Sequence, residues 1–173
     1  VEERCEEACK RANKPGPAVM WCELNTEADM LEKMLPESVQ VSGSMSDDEK
    51  EERLIGFSRG QIRRLITKPK IGAWGMNWQH CSNVICFPSH SFEQYYQLVR
   101  RCYRFGQLNP VDVSLILCEG EIGVLSSLRR KLFQSQQMFQ SIVKHMVDAM
   151  HLVSADHFDE KEEIPSWLLS TKC

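Results

Sequence analysis

Short, nearly continuous apolar runs alternate along the chain with segments whose apolar positions recur every three or four residues. The runs fall at Pro-Ala-Val-Met-Trp-Cys-Glu-Leu (17–24), Val39-Gln-Val-Ser42, Gln61–Thr67, Asn83–Phe87 and Val111–Cys118. Their length, and their lack of a polar alternation, suit strands buried on both faces. Between them the pattern predicts helices. A charged helix covers 2–13 and ends before Pro15-Gly16-Pro17; a second runs from Thr26, capped with Asp29, to Leu35, where Pro36 stops it. Ser46-Asp-Asp-Glu49 is a capping box for a third, ending near Phe57 with Gly60 beyond. Ser91-Phe-Glu-Gln94 opens a fourth, reaching Arg104. A long amphipathic helix over 121–151 carries Leu125, Leu128, Leu132, Phe139, Ile142, Met146 and Met150 at helical spacing. The tail after Ser154 is acidic and loose, with Trp167 as an anchor. Strands alternating with helices imply βαβ units, hence an α/β fold on a mostly parallel central sheet flanked by helices.

Composition fits one such domain. The chain has 173 residues, 42% of them hydrophobic, enough for a core. No run approaches the roughly 18–20 apolar residues of a bilayer span, so a membrane protein is excluded. Val1-Glu2-Glu3-Arg4-Cys5 has neither a signal peptide nor an initiator Met, so a longer parent protein is expected. Of the 8 cysteines, Cys22, Cys86 and Cys118 lie inside apolar runs and Cys5, Cys9 and Cys102 on helical faces, as reduced thiols do. Without a Cys-x-x-Cys pair, and with His145, His151 and His157 spaced by six, no metal site is expected. Net charge is −3, which alone argues against nucleic acid as a partner. The charge is segregated, however: residues 59–131 carry +7 and the remainder −10, so a basic surface sits on an acidic body.

Ligands of parallel sheets bind at the carboxyl ends of the strands, which directs attention to the segments that follow them. After the third strand comes Thr67-Lys-Pro-Lys-Ile-Gly-Ala-Trp-Gly-Met-Asn-Trp78. Its glycines permit close backbone approach to a phosphate and its lysines supply charge; an ordinary solvated loop has the same composition. Trp74 and Trp78, four apart, offer a stacking surface for a base or a packing anchor for the loop. The fourth helix ends in Gln97-Leu-Val-Arg-Arg-Cys-Tyr-Arg-Phe-Gly-Gln107, with Gln97, Arg101 and Arg104 on one helical face. Two guanidiniums and an amide aimed together form a clamp for phosphate oxygens. A basic helix end with a glycine cap explains Arg104 and Gly106 equally well, but leaves Gln97 and Gln107 without a reason.

The pattern Gln97-x-x-x-Arg101-x-x-Arg104-x-Gly106-Gln107 resembles motif VI of superfamily 2 helicases in its Swi/Snf-like version. Val19–Thr26 resembles motif IV, and Val41-Ser-Gly43 with Lys50, Arg53 and Phe57 resembles the segment after it. Thr67–Trp78, with Gly72, Gly75 and Asn77, resembles motif V, followed by Asn83-Val-Ile85 and Val111-Asp-Val113, so the likeness spans 17–131. It departs where the family carries Ser-Thr-Arg-Ala-Gly-Gly: here stands Thr67-Lys68-Pro69-Lys70-Ile71-Gly72-Ala73, with a donor lost at Pro69 and a glycine replaced at Ala73.

The resemblance implies the second RecA-like domain of a DNA helicase or translocase, phage or bacterial, acting in the cytoplasm and at the nucleoid. It divides the chain into an N-terminal helix (1–16), a RecA-like core (17–118), a helical extension (119–153) and an acidic tail (154–173). It implies catalytic roles for Arg101, Arg104 and Gln97, nucleotide contacts from those three with Gly75 and Asn77, and contacts to duplex DNA from Thr67, Lys68, Lys70, Gly72, Arg129, Arg130 and Lys131. No Gly-Lys dipeptide of a P-loop occurs, and neither Asp48-Glu49 nor Asp159-Glu160 follows an apolar strand. ATP and Mg²⁺ are thus expected to be held mainly by a first RecA-like domain, the implied partner, and the chain alone to be inactive. The competing reading is a non-catalytic interaction module that kept the fold and its basic face. A free-standing phosphate-binding enzyme is disfavoured, since no nucleophile–base pair is evident.

Overall fold

The computed structural model describes residues 1–71, 75–87, 89 and 91–157, with side chains to 147. It divides into two units, Val1–Lys131 and Leu132–Cys173. The first is an α/β unit whose helices are α1 (Glu2–Ala12), α2 (Asn25–Met34), α3 (Asp47–Ser58) and α4 (Phe92–Cys102), together with the first turns of α5 (Ile122–His157). Its strands are β1 (Ala18–Trp21), β2 (Ser38–Val41), β3 (Arg64–Thr67), β4 (Asn83–Cys86) and β5 (Asp112–Leu115). The sheet order is β2-β3-β1-β4-β5 and every pairing is parallel.

Each central strand is four residues long and fully buried, which is why its sequence shows no polar alternation. Its side chains still divide between two cores. Met20, Ile66 and Ile85 face a layer built by α1 and α2 around Cys5, Ala8, Ala28 and Leu31. Val19, Trp21, Leu65 and Val84 face a layer built by α3 and α4, with Phe57, Trp78, Leu98 and Cys102. The strands are shorter than the apolar runs because a run continues into the adjoining turn: Cys22 and Phe87 are buried beyond the ends of β1 and β4.

Two helix starts differ from the sequence reading. Ser46 caps α3 as the capping box requires, accepting from Glu49 N while Glu49 Oε2 accepts from Ser46 N at 3.1 Å. For α2 the expected Thr26/Asp29 cap is replaced. Leu24 takes the N-cap position, and the buried carboxylate of Glu27 accepts from the amides of Glu23 (3.1 Å) and Leu24 (3.0 Å). Ser91 caps α4 by accepting from Gln94 N, but the Gln94 carboxamide pairs with Ser89 Oγ at 2.9 Å rather than closing the box. The other end of α4 also differs: it stops at Cys102, short of Arg104. The second unit is described from Leu132 to His157 as helix, and Phe139, Ile142 and Met146 on it are exposed. The tail and Trp167 lie outside the described residues. Among the described residues no helix is long and apolar enough to cross a membrane.

Candidate functional site

The site forms along α4, where the segment before β4 meets the end of that helix. An open depression of about 460 Å³ is lined by Gly75, Met76, Gln97, Arg101, Arg104 and Phe105, with Tyr96 and Arg100 completing its wall. The structure thus brings together four of the residues singled out from sequence for nucleotide contact. Asn77 is exposed beside this segment, and Gly75 adopts φ +67, a conformation for which glycine is suited.

Each arginine is presented differently. Arg101 is on the last turn of α4, half-buried, with its guanidinium 6.0 Å from the centre of the Trp78 ring. Burial, and next the like charge of Arg104, push its pKa below the ordinary guanidinium value. Arg104 stands in the loop after the helix and is exposed, so the expected placement of both arginines on one helical face does not hold. The helix unwinds there because Gly106 takes φ +91 and the Gln107 amide turns back to the Arg104 carbonyl at 3.1 Å. Gln97 is exposed, its Nε2 donating to Glu93 Oε1 at 3.1 Å one turn earlier. Repulsion between guanidiniums that share a depression is relieved by an anion, and oxygens of a phosphate chain match their forked donors.

The floor is rigid. Trp78 is fully buried: its ring lies 5.6 Å from Trp21 and edge-on to Phe57 at 5.2 Å, and its Nε1 donates to Ser58 Oγ at 3.0 Å. It is therefore a packing residue. Gly72 and Trp74 lie outside the described residues.

The residues expected to meet nucleic acid are spread over two elements. Lys68 and Lys70 follow β3, half-buried and exposed respectively. Thr67 is fully buried, and its hydroxyl donates to the Val41 carbonyl at 3.4 Å across the β2–β3 pair. Arg129 and Arg130 are exposed on α5 and Lys131 is partly buried. Three residues near these sites were missed by sequence reading. Tyr96 and Arg100 line the depression, with Arg100 5.7 Å from the Tyr96 ring, a contact that i,i+4 spacing on α4 could have signalled. Glu23, after β1, has its carboxyl pKa raised by burial, against the lowering pull of Ser89, Lys68 and Lys70. An acid beside the two lysines has no local sequence signal, since Glu23 and Lys68 meet only through the sheet.

The chain matches the family model described as the helicase conserved C-terminal domain over residues 2–106, and it belongs to that family. Its fold is that of the C-terminal RecA-like domains of superfamily 2 helicases. The C-terminal part of the Fun30 ATPase domain superposes with a TM-score of 0.62 at 20% identity, over 72% of this chain and 44% of that one. The C-terminal domain of the DEAD-box protein Dbp5 superposes with a TM-score of 0.64 at 16% identity, over 76% of this chain and 79% of that one. This chain thus spans less than half of the Fun30 structure. No curated protein sequence matches it.

Proposed function

We propose that the chain is the second motor domain of a Swi/Snf-like, ATP-dependent DNA translocase or helicase, working with a first RecA-like domain in the cytoplasm and nucleoid of a bacterial or phage-infected cell. The observation that carries this reading is the convergence of Gln97, Arg101 and Arg104 in one depression along the last turns of α4. The donors fit the outer oxygens of a nucleoside triphosphate. Guanidinium and amide N–H donors do not fit Mg²⁺, whose ligands this reading assigns to the partner domain. ATP bound there supplies the phosphoanhydride that is cleaved.

When the two domains close, Arg104, exposed and free of the helix, reaches the phosphate chain, and Arg101, held over Trp78, supports it from the rigid side. Charge building on the phosphoryl oxygens in the transition state is met by guanidiniums already in place, so they lower the barrier more than they tighten ATP binding. Gln97 orients the phosphate or the attacking water. Gly75 and Asn77 line the approach, while Lys68, Lys70, Gly72 and the Arg129–Lys131 run hold the backbone of duplex DNA, with Thr67 fixing the base of that loop from inside the sheet.

Steady-state ATP hydrolysis by the full-length protein tests this. Arg104→Ala, and equally Arg104→Lys, is expected to lower DNA-stimulated turnover by about 100-fold or more, a conservative fraction of the range for arginine fingers, with little change in ATP affinity. Turnover of the wild-type size in Arg104→Ala would refute the reading. In a binding titration, Lys68→Ala/Lys70→Ala should flatten the salt dependence by about two counterions' worth.

A further inference from the structure

Arg104 lies outside regular structure, yet an arginine finger needs a fixed backbone. We propose that Gln107 and Gln79 are positioning residues that set Arg104 by clamping the chain after α4 to the segment before β4; this rests on the role of the arginines proposed above.

Gln107 acts from the α4 side. Its Nε2 donates to two carbonyls at once, Cys81 at 3.3 Å and Cys102 at 3.2 Å, and its Oε1 accepts from Asn109 N at 3.0 Å. One carboxamide thereby joins the last residue of α4 to the turn before β4 and to the loop that follows. Gln79 acts from the opposite side, its Nε2 donating to the carbonyl of Phe105, the residue next to Arg104. Between them the Trp78 amide donates to the Arg101 carbonyl at 2.9 Å. The backbone on both sides of Arg104 is therefore tied to residues 78–81, whose Trp78 and Cys81 are buried in the core. The glycine is part of the device: a Cβ at Gly106 would stand 3.1 Å from Gln79 Nε2 and press on the amide that holds Phe105. Neither glutamine lines the depression, so neither is placed to bind the nucleotide.

A clamp of this kind affects the reaction only through Arg104. Displacing a reacting group by an ångström costs on the order of 100-fold in rate; with Trp78 still holding Arg101, Gln107→Ala should lower kcat by roughly 10-fold or more and leave KM for ATP within about twofold. The full-length protein with saturating duplex DNA is compared as wild type, Arg104→Ala, Gln107→Ala, Gln79→Ala and Gln107→Ala/Arg104→Ala, each checked for native circular dichroism. The double variant is expected to turn over no more slowly than Arg104→Ala, since a residue that acts through Arg104 has nothing left to position. Multiplied losses in the double variant, or a changed KM with unchanged kcat, would overturn the proposal. Wild-type kcat in Gln107→Ala beside an impaired Arg104→Ala would overturn it and leave the arginine reading intact; wild-type turnover in Arg104→Ala is the separate failure of that reading. Should Gln107→Ala not fold, Gln107→Glu decides. It keeps the size and the acceptor for Asn109 but faces two carbonyls with a carboxylate. Turnover that recovers relative to wild type as pH falls, when the carboxyl regains a donor proton, supports the clamp; a loss independent of pH, or no loss, refutes it.

Discussion

Glu27 offers a sharp test of how the domain is held together. Its side chain is 1% exposed and does two jobs. Oε2 accepts from the amides of Glu23 and Leu24 at 3.1 and 3.0 Å, closing the first turn of α2, and Oε1 lies 3.5 Å from Arg4 Nη1 on α1. Removing a capping side chain costs about 1–2 kcal/mol. Breaking a buried ion pair costs about 3–5 kcal/mol when the remaining charge is orphaned. Arg4 is not orphaned: Glu121 Oε1 accepts from it at 3.0 Å and the Phe87 ring lies 4.7 Å away, so about 1–2 kcal/mol of that term applies. Glu27→Ala should therefore destabilise by about 2–4 kcal/mol, a fall in melting temperature of about 5–15 °C for a chain of this size. Glu27→Gln keeps a carbonyl oxygen for the two amides and loses only the charge toward Arg4, so about 1–2 kcal/mol is expected. Urea unfolding followed by circular dichroism measures both. A loss below about 0.5 kcal/mol for Glu27→Ala, or equal losses for the two variants, would refute the division of labour.

Two further outcomes follow from the surroundings of other side chains. Glu23→Gln should tighten duplex binding, most at low salt, by removing a negative charge beside Lys68 and Lys70; because burial raises its carboxyl pKa, wild-type affinity should rise toward that of the variant as pH falls, and titrations at two pH values check this. Among the described cysteines Cys118 alone is exposed, whereas burial pushes the Cys5 thiol up to about 11 and Cys86 to about 12; a thiol reagent at mild alkaline pH should modify Cys118 in the folded chain and leave Cys5 and Cys86 until it is denatured.

The elements that local chemistry determines were legible in the sequence. Ser46 with Glu49 marks its helix start because both partners of the cap lie within four residues. The buried strands announced themselves by continuous apolar character. What depended on partners far along the chain was not. Glu27 outcompetes Thr26 at the start of α2 because a carboxylate buried beside Arg4 can take two amides. The helical spacing of Arg101 and Arg104 suggested one face, yet Gln79 and Gln107 draw the backbone away from the helix after Cys102 through contacts 26 residues apart. The family likeness marked Gln97, Arg101 and Arg104, which share one depression; Tyr96 and Arg100, which line it too, the likeness did not mark.

The Arg4–Glu121 bond spans 117 positions, and Lys14 reaches Asp112 across 98. A chain emerging from the ribosome N-terminus first therefore makes α1 long before it makes the side chains that hold α1 down. The same delay affects the sheet: β1 occupies its centre, but its two neighbours are β3 and β4, both synthesised later. Until then Val19, Met20 and Trp21 have no strand beside them, and an apolar segment with open edges is a target for chaperones and for other nascent chains. Closing such long loops lowers the folding rate. Truncation before β3 should leave β1 without either neighbour, whereas a chain extended through Glu121 carries both neighbours of β1 and the side chains that hold α1.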